Sequence, residues 1–225
     1  MIVRRGVGRM SGTFFLRLHA LYKIAETFNN QQCRIVRNKT RKQHSMMTAT
    51  KDLENDHEYI IRLTNVMEQM IIDYSTNKEH FETVVSLIRN FADGFHHAKE
   101  EKILFPKLVE KGFSNEGGPV GVMLTEHVEG RNYVKGMSDA IARLTPDDES
   151  AVGDILLNMQ QYVDLLQAHI GKENNVLFRM ADKMLSDDEQ QALLAQYATV
   201  GESEYTPERV NGFIEQIKYL ESVYM

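Results

Sequence analysis

Two ten-residue segments of this chain are versions of each other, and each pairs a histidine with a glutamate one helical turn later. Residues 96–105 and 169–178 align without a gap and share His, Lys, Glu, an aliphatic residue and Leu-Phe. Side chains four residues apart on a helix project from the same face, so each segment presents one imidazole and one carboxylate to a common point. The repeat therefore predicts a helical protein with two similar half-sites for a metal, each made of one histidine and one glutamate.

The pattern of apolar residues from Ala49 onward is helical throughout, with Gly, Pro and Asp/Ser clusters as breaks. The four long helices are predicted over residues 49–74, 78–111, 117–145 and 149–184. Ser186 opens a short fifth helix with a capping box, and Thr206 precedes a sixth that reaches the C-terminus. The predicted fold is all-α: an up-down-up-down four-helix bundle with two additional C-terminal helices.

Charge divides the chain near Met46 and Met47. Residues 1–45 carry ten Lys or Arg and one acid, net +9, whereas the remainder has a net charge of −15. A disordered arm, or sequence translated upstream of a start at Met46 or Met47, fits this basic segment; a transit peptide and a nucleic-acid-binding arm are alternatives without a specific motif. We predict a basic arm at 1–47, a metal-binding bundle at 48–184 and a C-terminal helical appendage at 185–225.

Composition narrows the classes of site that the chain can build. Cys33 is the single cysteine, which excludes a disulfide framework and any cysteine-based iron–sulfur or zinc cluster. Histidine and carboxylate are then the ligand supply, and they favour a hard to borderline metal. No apolar run approaches the roughly 18 to 20 residues that cross a bilayer. We expect a cytoplasmic protein with neither a membrane nor a nucleic acid as its partner.

Two further histidines lie on other helices, and residue counting places all four at one level. In an up-down-up-down bundle with short loops, a ligand some distance from one helix end must lie equally far into the next helix; the mismatches here are at most about one and a half turns. Glutamates buried in that layer would cost several kcal/mol each without a compensating cation. The predicted metal ligands are His57, His96, Glu100, His127, His169 and Glu173.

His97 and Glu101 form a competing pair at the same spacing. They lie opposite the apolar stripe of the second helix, and the internal repeat aligns His169 with His96, so we choose His96 and Glu100 as ligands. His97 and Glu101 then become candidates for an outer shell of contacts, with Arg131 and Tyr162. Tyr162 could donate a hydrogen bond or a proton to the site, although core packing is the more ordinary role for such a residue.

These residues closely resemble the hemerythrin-like, or HHE cation-binding, family over about residues 50–184. The matching motifs are residues 53–57, 96–106, 126–127 and 169–178. The resemblance implies a four-helix bundle that holds two oxo- or hydroxo-bridged irons. One iron would take His57 and His96 and the other His127 and His169, with both glutamates bridging. Open positions on the irons could bind O₂, NO or peroxide.

Two departures from the oxygen-carrying members point to another branch. Arg131 stands where those proteins have a second histidine one turn after the third-helix His, and Asn174 stands where they have an Asp. Four His and two Glu look more like the branch associated with nitrosative or oxidative stress and repair of iron–sulfur centres, although Cys33 alone does not match the cysteine-bearing N-terminal domain of the repair proteins. The implied function is binding of iron and a diatomic ligand for stress response, sensing or iron handling. The alternative is a di-iron enzyme that reduces NO or peroxide, or repairs iron–sulfur centres.

Overall fold

Helices account for nearly all of the chain that the computed structural model describes, which is residues 47–145, 149–200 and 204–225. The helices are α1 (Ala49–Ile72), α2 (78–110), α3 (Pro119–Arg143), α4 (149–184), α5 (Asp187–Thr199) and α6 (Pro207–Tyr224). The all-α prediction is confirmed, and the predicted helix bounds agree within a few residues. Of the basic arm predicted over residues 1–47, residues 1–46 lie outside the described ranges.

Two of the long helices contain π-helical turns, in which the backbone hydrogen bonds close a wider ring than in an α-helix. In α2 these turns occupy Ile88–His97 and Glu100–Leu104, and in α4 they occupy Glu173–Leu177. Two of the three segments begin at a predicted glutamate ligand. A wider turn changes the angle between successive side chains, so these segments depart from the regular spacing of an α-helix.

Side-chain caps begin the helices where the sequence predicts them. The Ser186 hydroxyl accepts a hydrogen bond from the backbone N–H of Glu189, whose carboxylate accepts from the backbone N–H of Ser186, so the predicted capping box is present. The Thr206 hydroxyl accepts from the backbone N–H of Arg209 at the start of α6, and the Asn77 side chain, for which no cap was predicted, accepts from the backbone N–H of His80 at the start of α2. Gly112, with φ of +97°, ends α2 in the left-handed region that favours glycine. Each cap satisfies backbone groups that a helix end leaves unpaired.

The four long helices form a closed ring: α1 packs against α2 and α4, and α3 packs against α2 and α4. Apolar side chains gather into two clusters, one toward each end of the bundle. On α1, for example, His57 lies between Leu53 of one cluster and Ile60 of the other. A polar layer thus separates two apolar cores.

The two C-terminal helices each complete one of these cores. Leu193 and Tyr197 of α5 join the cluster that contains Leu53, whereas Phe213 and Ile217 of α6 join the cluster that contains Ile60. Full burial of one such large apolar side chain is worth about 1.5–3 kcal/mol. The segment predicted as an appendage therefore packs on the bundle and extends its cores.

None of the helices in the described ranges is both long enough and apolar enough to cross a membrane.

Candidate metal centre

Four histidines turn one ring nitrogen toward a common point between the helices. The Nε2 atoms of His57 and His96 lie 3.0 Å apart, and those of His127 and His169 lie 3.1 Å apart. Each of the four residues is at most 2% exposed. The predicted layer of histidines exists, and it is divided into two pairs: α1 with α2, and α3 with α4.

Two fully buried glutamates connect the pairs. Glu100 places one carboxylate oxygen 3.7 Å from Nε2 of His96 and the other 3.5 Å from Nε2 of His127. Glu173 places one oxygen 3.2 Å from Nε2 of His57 and the other 3.4 Å from Nε2 of His169. Each carboxylate therefore offers one oxygen to each histidine pair, which is the arrangement of a bridging ligand.

The outer ring nitrogen of each histidine, Nδ1, contacts a side-chain oxygen on another helix. Nδ1 lies 2.7–3.2 Å from a side-chain oxygen in all four cases. The partners are Asn174 for His57, Asp56 for His96, Glu101 for His127 and Glu126 for His169. A carboxylate or an amide oxygen can only accept, so Nδ1 carries the hydrogen of each neutral ring and Nε2 presents a lone pair. Such outer contacts are the usual way in which proteins orient metal-ligating histidines.

With neutral histidines and ionised glutamates, the inner layer consequently contains hydrogen-bond acceptors that face one another. Four Nε2 lone pairs face four oxygens of Glu100 and Glu173, and none of these oxygens accepts a hydrogen bond from the described residues. Burial, together with the neighbouring Glu173 carboxylate, raises the pKa of Glu100 well above its usual range. Two ligands at right angles, each about 2.1 Å from a metal, lie about 3 Å apart, close to the spacings observed here. The residues therefore fit a pair of metal ions, one for each histidine pair.

Comparison with known proteins gives a match over most of this region. Residues 48–181 match the family model of the hemerythrin HHE cation binding domain. This chain belongs to that family. The match includes all six predicted ligands and leaves out α5 and α6.

Curated relatives of this hemerythrin-like chain include iron-sulfur cluster repair proteins named YtfE. The Escherichia coli O1:K1 protein is 34% identical over 88 residues, which are 38% of this chain and 40% of the relative. The protein from Salmonella paratyphi B is 35% identical over 89 residues, again 38% of this chain and 40% of the relative. The chain thus matches about two fifths of the length of these relatives. Comparison with solved structures finds no significant match.

The hemerythrin-like centre has an approximate two-fold symmetry, and α1 and α2 correspond to α3 and α4. His57 corresponds to His127, and the acid before each of them, Asp56 or Glu126, holds the histidine of the following helix. The rings of His57 and His127 stack on Phe178 and Phe105, the last residues of the two repeats. The internal repeat in the sequence therefore covers α2 and α4, and the two-fold symmetry of the structure also relates α1 to α3.

The repeated lysine supports the outer shell. Lys99 is only 4% exposed, and its Nζ lies 2.8 Å from both Asp52 and Asp56, over the ring of Phe95. In the second repeat, Lys172 contacts Glu126. Each lysine thus neutralises the carboxylate that orients His96 or His169. The motifs that match the family contain these acids and lysines, but no role was predicted for them. An acid directly before one histidine, combined with His-x-x-Lys-Glu on the next helix, is the pattern that could have indicated that role.

The symmetry fails at the outer edge of the His127–His169 pair. Arg131 donates to Asp93 at 2.5 Å and to Glu101 at 2.7 Å, and Glu101 also accepts from His127. Although burial opposes the shift, the hydrogen bonds from His127 and Arg131 lower the pKa of Glu101 to about 2. Glu101 and Arg131, predicted for the outer shell, lie there.

A cavity of about 230 Å³ opens against this same pair. His97, His127, His169 and Tyr162 line it, together with Gly130, where an added Cβ would lie 3.5 Å from the Tyr162 ring. On the two-fold-related side, the residue that corresponds to Gly130 is Ile60, which is buried in the core. The two histidine pairs therefore differ in their access.

The structure brings together the six residues predicted as ligands, whose assignment as ligands stays a prediction. Glu100 faces the layer and Glu101 lies at its edge, as the register argument expected. His97 was expected to lie away from the apolar stripe, but it is buried at 6% exposure beside His127. The Tyr162 hydroxyl is buried and has no hydrogen-bond partner among the described residues.

Proposed function

We propose that this hemerythrin-like domain holds two iron ions and uses them to bind a small ligand such as O₂ or NO. The first position would be formed by His57 and His96, the second by His127 and His169, and both glutamates would be shared. The observation that carries the proposal is the convergence of four buried histidine nitrogens on four carboxylate oxygens that accept no hydrogen bond from the described residues. Two divalent cations would more than offset the charge of the two carboxylates and would supply the missing partners.

The chemistry of the donor set favours iron. Mixed imidazole and carboxylate ligands suit iron, manganese and zinc, whereas thiolates, which would favour zinc, play no part in the proposed site. Shared carboxylates hold two metals close enough to act on one ligand, and an oxo or hydroxo bridge between them is part of the proposal. The iron pair would supply reversible ligand binding and one-electron chemistry.

The cavity supports a role in binding a small external molecule. It reaches His127 and His169, and its volume of about 230 Å³ exceeds that of a diatomic molecule. A water molecule takes about 30 Å³ of liquid volume, so several waters, or one ligand with room to move, would fit. Together with the repair proteins among the relatives, this supports a role in oxidative or nitrosative stress, sensing or iron handling.

A second candidate function is enzymatic: reduction of NO or peroxide, or repair of iron–sulfur centres. One observation favours it besides the names of the relatives. Burial raises the pKa of Tyr162, with a contribution from Asp93, so its hydroxyl stays protonated and can donate a hydrogen bond into the cavity that it lines. A buried hydroxyl that lines the same cavity as His127 and His169 could stabilise a reduced, negatively charged ligand by donating a hydrogen bond to it.

The test is anaerobic loading of the full chain with ferrous iron, followed by elemental analysis and optical spectra before and after O₂ or NO. We expect about two irons per chain and a near-ultraviolet band after oxidation. Glu100→Ala and Glu173→Ala should each lose iron, whereas Glu110→Ala, at an exposed position on α2, should keep it. One tightly bound zinc without that band would contradict the proposal.

The same preparation separates binding from catalysis. A binding protein forms a stable adduct with one equivalent of NO and releases it under a stream of inert gas. An enzyme consumes NO repeatedly when a chemical reductant is present and forms nitrous oxide. Continued NO consumption would favour the enzymatic candidate over reversible binding.

A further inference from the structure

The cavity beside the His127–His169 pair is longer than a diatomic ligand requires. On α3 its lining extends from His127 to Val134, with lining residues at the turn between them. On α4 it extends in the same way from His169 back to Tyr162. Seven residues of α-helix span about 10 Å. The cavity therefore runs parallel to the helices, from the histidine layer toward the apolar cluster that contains Ile60, Val134 and Tyr162.

The volume of the cavity agrees with this length. An engineered cavity of about 150 Å³ in another protein holds benzene, which has six carbons. In proportion, the volume of about 230 Å³ would hold roughly nine carbons. Because a C–C bond of about 1.5 Å advances an extended chain by roughly 1.3 Å, about eight bonds span the cavity. Both estimates indicate an organic molecule with a chain of about eight carbons, whereas a diatomic molecule would fill only one end.

The inner walls of the cavity are apolar. Ile88, Val134 and Leu166 line it, and each is at most 5% exposed. Gly130 keeps the middle open, since an added Cβ would lie 3.5 Å from the ring of Tyr162. Walls of this kind favour an unbranched apolar body, and each methylene that is buried there should strengthen binding about fourfold.

The outer edge of the cavity is cationic. All of its exposed lining residues are basic, namely Arg89, Arg131 and Lys135, although residues 46–225 carry 31 acids and 16 Lys or Arg. The two acids in the lining, Asp93 and Glu126, are each bound by a basic side chain. The edge thus offers positive charge without a free carboxylate to compete for it, which favours an anionic ligand.

Arg89 is the cation best placed to bind that anion. Arg131 and Lys135 already contact carboxylates, whereas Arg89 has no ion-pair partner among the described residues. Arg89 precedes His97 by eight residues, about two helical turns, so it lies at the end of the cavity away from the histidines. An anionic group held there would leave the other end of an eight-carbon chain beside the His127–His169 pair.

We propose that the cavity binds an unbranched organic anion of about eight carbons, such as a medium-chain carboxylate. Its anionic group contacts Arg89, its body passes Gly130, and its terminal methyl group lies beside His127 and His169. This ligand is additional to the diatomic ligand of the proposed function, and its binding does not require a metal. The corresponding residue on the other side of the centre is Ile60, so the first histidine pair has no such site.

The first test is calorimetric titration of the metal-free full chain with unbranched carboxylates. Affinity should rise about fourfold per methylene from hexanoate to octanoate and should not rise from decanoate to dodecanoate. Octanol should bind at least tenfold more weakly than octanoate. An affinity that keeps rising with chain length would indicate adsorption on the surface, and equal affinities for octanol and octanoate would refute an anionic ligand; either result overturns the proposal.

Variants locate the site. Gly130→Ile should weaken octanoate binding at least tenfold, whereas Gly153→Ile, with no atom within 4 Å of its added Cβ, should not change it. Arg89→Gln should weaken octanoate at least fivefold and leave octanol unchanged. Lys218→Gln, which removes the same charge from an exposed position on α6, should change neither. Octanoate affinities that are unchanged by both Gly130→Ile and Arg89→Gln would overturn the proposal.

The orientation of the ligand is tested in the cobalt(II)-loaded protein by proton NMR of octanoate. Paramagnetic broadening should be stronger for the terminal methyl group than for the methylene next to the carboxylate. The opposite order would show that the carboxylate binds the metal, and would overturn the orientation proposed here. Elemental analysis of the same preparation reports the metal content, so failure of the proposed metal pair is distinguished from failure of the organic site.

Discussion

Glu100→Gln should change the stability of this domain in opposite directions with and without metal. In the metal-free protein, Glu100 is fully buried beside Glu173 and accepts no hydrogen bond from the described residues. A buried polar group left without a partner costs about 1–3 kcal/mol. Glutamine has nearly the same shape, is neutral without taking up a proton, and its amide can donate to the surrounding acceptors. We therefore expect the metal-free variant to be about 1–3 kcal/mol more stable than the wild type.

With metal the sign reverses, because glutamine is a poor bridging ligand. A ligand at 100 times its dissociation constant stabilises the folded state by about 2.7 kcal/mol. For a protein of this size 1 kcal/mol corresponds to roughly 2–4 °C, so metal should raise the melting temperature of the wild type by about 5–11 °C. Glu100→Gln should lose most of that rise. Glu110→Gln, whose side chain is 68% exposed, should behave as the wild type in both states.

The assay is thermal unfolding, followed by circular dichroism, of each protein with a chelator and with ferrous iron under anaerobic conditions. The reasoning depends on the reversal, not on either shift alone. If Glu100→Gln destabilises the metal-free protein by more than 1 kcal/mol, the carboxylate is already satisfied without metal. The layer would then be an ordinary polar core.

Three further changes test the surroundings of the centre. Lys99→Met removes a buried cation that neutralises the acid behind His96, and should weaken metal binding about 10- to 100-fold in a competition assay with a chromophoric chelator. Gly130→Ile puts four carbons into the cavity and should weaken binding of azide to the ferric protein at least tenfold, whereas Gly153→Ile, with no atom within 4 Å of its added Cβ, should not; equal azide affinities would place the ligand elsewhere. The Lys111 contact and the Ser186 backbone lower the pKa of Glu189 to about 2, so its contribution to the α5 cap is present above the usual pKa of 4.5 and is lost as the pH falls toward 2. Glu189→Gln should therefore lower the urea midpoint at pH 6 but change it less at pH 3, and an equal change at both would contradict this.

Much of the fold can be predicted from the sequence because its signals are local. The apolar period, the capping box at Ser186 and the glycine at the end of α2 are properties of a few neighbouring residues, and the observed helices follow them closely. The doubled His-x-x-x-Glu segments also predicted which residues meet, because four residues return a side chain to the same helix face. Residue counting between loops was enough to place all four histidines at one level.

Other features depend on contacts between helices and on backbone geometry that no short sequence pattern indicates. A period of 3.6 residues assumes regular α-helix, so it placed His97 away from the core, whereas in the structure His97 follows a run of π-helical turns and is buried against His127. The oxygens behind each histidine come from other helices, and their pairing is known only once the helices pack. Likewise, Gly130 makes a cavity because Tyr162 of α4 lies opposite it, while Ile60 is packed at the equivalent place. The sequence alone determined a symmetric pair of half-sites, and the tertiary structure decided how the two differ, because packing across helices sets which side chains reach each half.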